Sequence, residues 1–144
     1  MPKLTFSGVD ELQDAFGRIS EWPESLKEDA LKAMASVAAA KVRASGEAMG
    51  VRDPQSSVHI LDKIKPQKPK TTKSGGYLDI TFSGSRRRGN TTTRNAEIAF
   101  GNEYGKRGQP ARPFIGTGMT QNEQQIAAPA GELVGDWIER EFQR

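Results

Sequence analysis

The sequence predicts an α+β fold in which a small antiparallel β-sheet packs against a long alanine-rich helix and a carboxyl-terminal helix. Three observations predict it. A helical pattern runs from Glu24 to about Ala48 with no breaker before Gly46 and Gly50; two short segments, Tyr77–Phe82 and Ala96–Phe100, alternate apolar with polar residues; and Leu133, Val134, Trp137, Ile138 and Phe142 recur at helical spacing. A length of 144 residues fits one domain spanning 1–144 around a single core.

The elements follow in order. A brief strand at Lys3–Phe6 leads into a short amphipathic helix carrying Val9, Leu12, Phe16 and Ile19, with Ser7 or Asp10 placed to cap it. Pro23 suits the first turn of the long helix. On that helix Leu26, Ala30, Ala33, Val37, Ala40 and Ala44 form one stripe, and Leu31, Met34, Ala38 and Val42 a second beside it. Alanine gives little burial per residue, so this face suits a close approach by another backbone or by a neighbouring subunit. Val58, Ile60 and Ile64 fit either a strand or a short helical turn.

Further along, KPQKPKTTKSGG reads as a loop, since its prolines and glycines interrupt regular structure and its like charges repel. The two alternating segments are expected to pair antiparallel, with SGSRRRGNTTTRN as a long basic tip too polar to pack. The basic loops thus fall at about 65–76 and 83–95. Thr120 with Glu123 makes a candidate capping box for the last helix, in which Pro129 and Gly131 are expected to break or kink the chain.

Composition narrows the function classes. No apolar run approaches the ~20 residues that span a bilayer, and the amino terminus lacks the charged-then-apolar layout of a secretory signal, so a cytoplasmic protein without a membrane partner is expected. With no cysteine and one histidine, His59, neither a disulfide nor a metal site is expected. No Walker, nucleophile-elbow or metal-ligand pattern occurs, and no cofactor or catalytic residue can be named, so the expectation is a protein that is not an enzyme.

Charge is unevenly placed. Between Lys63 and Arg94 stand nine basic residues (Lys63, Lys65, Lys68, Lys70, Lys73, Arg86, Arg87, Arg88 and Arg94) against Asp79 alone, a net of +8 that leaves −5 for the rest of a chain totalling +3. Three readings stand: solvated loops, contact with nucleic-acid phosphates, or contact with an acidic neighbour. The absence of aromatic residues within 63–73 and 83–95 means that any genomic DNA would be touched without sequence choice.

The most informative stretch is AFGNEYGKRGQPARPFIGTG. The chain turns through Gly101, Gly105, Gly108 and Pro110, sets Arg112 beside Pro113, and presents Phe114 and Ile115 before the last helix. Phe114 then serves either as an anchor for a partner or as a plug for the domain's own core.

The Glu103-Tyr104-Gly105 step followed by Pro110-Ala111-Arg112-Pro113-Phe114-Ile115 resembles the head-tail joining, or tail completion, proteins of long-tailed double-stranded DNA bacteriophages, a family distantly similar to the lambda-type minor tail protein Z. Leu4, Phe6, Gly8, Val9, Asp10, Glu11 and Leu12 match its opening strand and helix, and Glu24 to Ala48 its alanine-rich helix. Two departures are a loose counterpart of the family's middle segment around Ser56 to Ile64, and Lys106 and Arg107 where the family has a small or hydroxyl residue.

The resemblance implies a head-tail joining domain in the virion neck: a homo-oligomeric ring, a hexamer by the family's pattern, between the head-completion or stopper protein and the tail terminator or tail tube. For such a ring, subunit or partner contacts are expected at Glu103, Tyr104, Arg112, Pro113, Phe114 and Ile115, with Phe114 and Ile115 inserted into a neighbour or fixing the loop that contacts it and Arg112 pairing to a carboxylate. The alternative from another class is a small basic accessory protein that binds DNA without sequence preference. A hydrolase lacks any nameable residue set.

Overall fold

The computed structural model describes residues 22–52, 59–73 and 75–143, with the side chain of Arg88 set aside; the expected strand at Lys3–Phe6 and helix over Val9–Ile19 lie outside the described residues. Helices packed on small antiparallel strand pairs make an α+β architecture, as the patterning predicts.

Helix α1 spans Glu24–Ala48. Pro23 precedes it with φ −58°, and its carbonyl accepts from the amides of Leu26 and Lys27. The helix continues through Gly46 and ends where Gly50 takes φ 71°, a left-handed value that glycine adopts without strain. Its buried face consists of Leu26, Ala30, Ala35, Ala38, Ala39, Val42 and Gly46. Ala40 and Ala44, expected in a packed stripe, face outward instead.

That small-residue face lets backbones meet. Helix α3, Phe114–Thr120, crosses α1 so closely that a Cβ on Gly118 would sit 2.9 Å from the Cα of Val42 and 3.0 Å from the Lys41 carbonyl oxygen. A Cβ on Gly46 would meet Leu61 at 2.5 Å and Phe114 at 3.1 Å. Close packing of this kind is what an alanine and glycine surface permits and a leucine surface would block.

The open reading of the middle segment resolves as both alternatives in succession: a 3-10 turn at Ile60–Lys63 runs into strand β1, Ile64–Pro66. β2 (Lys70–Thr72), β3 (Gly75–Tyr77) and β4 (Ile80–Phe82) follow. β1 pairs antiparallel with β4, Ile64 opposite Phe82, and β2 with β3, Lys70 opposite Tyr77. The registers differ by one residue, so the two ladders form a single bent arm with an extra residue at the bend. KPQKPKTTKSGG, read as a loop, belongs to this arm.

Two expectations are overturned together. Asn95–Tyr104 is helix α2, not a strand, and the partner of Ile80–Phe82 is β1. The alternation of Ala96, Ile98 and Phe100 is outweighed by Asn95, Ala99, Asn102 and Glu103, which are buried at helical spacing. Two amides on that face bond internally: Asn95 Nδ2 donates to the Ser83 carbonyl (2.8 Å) and Asn102 Nδ2 to that of Ile98 (3.0 Å), while Asn95 Oδ1 is buried without a partner among the described residues.

The basic tip is likewise ordered. β5 (Ser85–Arg88) and β6 (Thr91–Arg94) form a hairpin around Gly89 and Asn90, with Gly89 at φ 60° in the first turn position, as a type II′ turn requires.

Helix α4, Glu123–Phe142, runs unbroken through Pro129 and Gly131, against the expectation of a break. The amide that Pro129 lacks would have bonded the carbonyl of Gln125, which is exposed and so within reach of water. The capping box does not form. Thr120 is the last residue of α3 and donates to the Gly116 carbonyl (2.8 Å), while Asn122 precedes α4. The apolar side of α4 lies along α1 with Ile126 and Trp137 buried; Trp137 meets Trp22 at a 6.3 Å ring separation. The main core gathers Ala39, Val42, Val51, Ile60, Leu61, Ile64, Ala99 and Phe114 where α1, α2, α3, the 3-10 turn and the first arm meet. No helix among the described residues is long and apolar enough to cross a membrane.

Candidate assembly surface

The corner between α2 and α3 contains all six residues expected to contact a subunit or partner. Gly105 ends α2 at φ 81°, where a Cβ would lie 2.9 Å from the Ala111 amide nitrogen, so only glycine fits. Lys106 and Gln109 then exchange backbone hydrogen bonds, and the Arg112 amide donates to the Asn102 carbonyl (2.6 Å). The loop is folded back on the helix it leaves.

Glu103 sits at the centre of this corner. Its Oε2 accepts from the Ile115 amide (2.7 Å) and its Oε1 from that of Gly116 (2.9 Å), the first free amides of α3. A carboxylate there also complements the positive end of the helix. Glu103 is therefore an internal cap, 9% exposed, and not the partner contact expected of it.

Phe114 needs the same correction. Phe114 is 0% exposed and meets Phe82 edge-on at 5.9 Å, so it plugs its own core and is closed to a partner. Arg112 is half-buried and donates from Nη1 to the Gly50 carbonyl (2.8 Å), bonding the corner to the end of α1. Ile115 is half-buried against the core.

What the corner leaves outside is aromatic. Tyr104, next to the capping glutamate, is 76% exposed, and Phe100, one turn earlier, is 54% exposed. Their rings stack at 6.2 Å with 23° between planes. Pro113 is also at the surface. Of the six expected contact residues, Tyr104 and Pro113 are exposed, Arg112 and Ile115 half-buried, and Glu103 and Phe114 buried.

The expected basic contacts divide between the two arms. Lys63 lies at the base of the first, and Lys65, Lys68, Lys70 and Lys73 are exposed along it, with Lys70 Nζ 5.9 Å from the centre of the Tyr77 ring. On the second hairpin Arg87 is exposed and Arg88 is placed on β5, whereas Arg86 is half-buried and lines a cleft of about 680 Å3 shared with Arg52, His59, Lys106 and Arg112. Cations around a concavity suit an anionic group.

Arg52 is already engaged there. Its guanidinium takes Asp62 through two bonds (3.1 and 2.9 Å) and Glu47 through Nε (2.7 Å). These hydrogen bonds, with the charge attraction behind them, hold both carboxyls below their usual range. Among the described residues no group of three or more histidines and carboxylates is placed to hold a metal ion.

Sequence reasoning missed Phe100, the Arg52 network and the capping role of Glu103. The signal for the last was present: Asn95, Ala99 and Asn102–Glu103 are spaced as a helix face, and Glu103 precedes the Pro113-Phe114 helix start by the length of one tight loop. Compared with known protein families, curated proteins and solved structures, the chain matches none.

Proposed function

We propose that this chain is a structural assembly subunit, and within that class the ring subunit joining head to tail in the neck of a long-tailed double-stranded DNA phage. Copies pack side by side, and the ring lies between the head-completion or stopper protein and the tail terminator or tail tube. The observation that carries the reading is the corner at Glu103–Ile115. Its conspicuous residues clamp α2 to α3, and the clamp holds Tyr104 and Phe100 outward as a stacked pair. Exposed aromatic side chains on a rigid element are the usual anchors of protein contacts.

The test is a phage carrying Phe100→Ser and Tyr104→Ser together. Filled heads and complete tails should accumulate unjoined while the purified variant keeps the wild-type unfolding midpoint. Normal infectious yield, or absence of the wild-type chain from purified particles, would overturn the reading. The second reading, a DNA-coating accessory protein, is favoured by the ordered basic hairpin. It requires that the wild-type chain retard duplex DNA irrespective of sequence and that Arg87→Glu remove the effect.

A further inference from the structure

The chain carries opposite charge on two separate faces. On α4, Glu132, Asp136 and Glu139 recur at intervals of four and three, which places them on one stripe opposite the buried Ile126 and Trp137. All three are exposed, and none forms an ion pair with a described residue. Arg140 flanks the stripe without pairing to it, so the stripe stays net negative. It spans about 10 Å at the helical rise.

On the β5–β6 hairpin the register puts Arg87 opposite Thr92 and Arg94 opposite Ser85. Arg87 and Arg94 therefore share the face turned away from Arg86 and the cleft. Both are exposed, and by sheet geometry they stand diagonally about 7–8 Å apart, within the span of the acidic stripe. Arg87 uses Nε on the Gly89 carbonyl and keeps its two terminal nitrogens; Arg94 shares Nε with Glu97 at 3.2 Å in a solvent-exposed pair. Each guanidinium retains donors for a carboxylate.

These faces lie toward opposite ends of α1. The carboxyl-terminal half of α4 lies beside the start of α1, where Trp137 meets Trp22, while the hairpin borders the cleft that includes Gly50 and Arg52 beyond its end. Twenty-five residues of helix separate the ends, about 37 Å.

We infer that the Arg87–Arg94 face of one copy docks on the Glu132–Asp136–Glu139 stripe of the next, as the polar half of a head-to-tail contact. This rests on the assembly reading and names its partner surface. A DNA backbone would match the hairpin but repel the stripe; a second copy matches both. Two unlike patches that recognise each other generate a repeating contact, which closes into a ring when the rotation allows.

Charge reversal tests it. The triple variant E132K/D136K/E139K and the double variant R87E/R94E should each self-associate at least about tenfold more weakly than wild type by sedimentation, with unchanged circular dichroism. A chain carrying both sets, or an equal mixture of the two variants, should assemble again, because each reversed face then meets its complement. Wild-type assembly by the stripe variant, failure of the mixture to assemble, or a wild-type chain that stays monomeric at its highest soluble concentration would overturn the inference. Loss of duplex DNA binding by R87E/R94E with undisturbed assembly of the stripe variant would do the same in favour of DNA. If the wild-type chain is present in the neck of particles yet indifferent to these reversals, the docking faces fail while the assembly reading stands.

Discussion

The carboxylate of Glu103 closes the start of α3 by accepting the amides of Ile115 and Gly116 at 2.7 and 2.9 Å. Replacing it with alanine leaves two buried donors without an acceptor, so Glu103→Ala should lower stability by about 1–3 kcal/mol. Glu103→Gln keeps one good acceptor oxygen and should fall between. Urea unfolding of the three proteins gives the order; an alanine variant as stable as wild type would remove the cap from the account.

Phe114→Ala should cost about 3–5 kcal/mol, since a fully buried ring is deleted and the Phe82 edge contact goes with it. The expected phenotype is loss of folded protein, which separates Phe114 from Tyr104. Thermal unfolding distinguishes the two: Tyr104→Ser should shift stability by no more than about 0.5 kcal/mol.

Glycine to alanine should act in opposite directions at two places. In α3, Gly118→Ala drives a methyl against the backbone of Val42, which cannot swing aside, and should destabilise by about 1–3 kcal/mol. In α4, Gly131 and Gly135 have nothing within 4 Å of an added Cβ, so alanine should stabilise by about 0.5–1 kcal/mol each. Parallel denaturation curves decide both.

Acid sensitivity should trace in part to Arg52. Glu47 and Asp62 are held below the usual carboxylate range by the guanidinium, so their contribution is present above that range and disappears as pH falls through the lowered values. Urea midpoints measured from neutral to acid pH should decline less steeply for Arg52→Met than for wild type. Added salt should narrow the difference, because the network is at the surface.

Much of this fold was legible in the amino-acid order, for identifiable reasons. α1 announced itself by Pro23, a long unbroken helical pattern and Gly50; α4 by the spacing of Leu133, Val134, Trp137 and Ile138. Residues 95–104 misled because the buried face of α2 is made of asparagine, alanine and glutamate, leaving the more apolar Ile98 and Phe100 to suggest a strand. The glycines and prolines from Glu103 to Ile115 marked a turn, but sequence spacing does not say which side of a turn faces the core. Phe114 went in and Tyr104 out because Gly46 leaves room beneath the former and Glu103 fixes the helix end beside the latter.

The two arms of this protein share no strand: β5 and β6 pair only with each other, and the two ladders of the first arm are complete without them. Lengthening or trimming either ribbon by a pair of residues at its tip would therefore disturb no register elsewhere. The helical base can stay as it is while the reach of each ribbon is retuned alone.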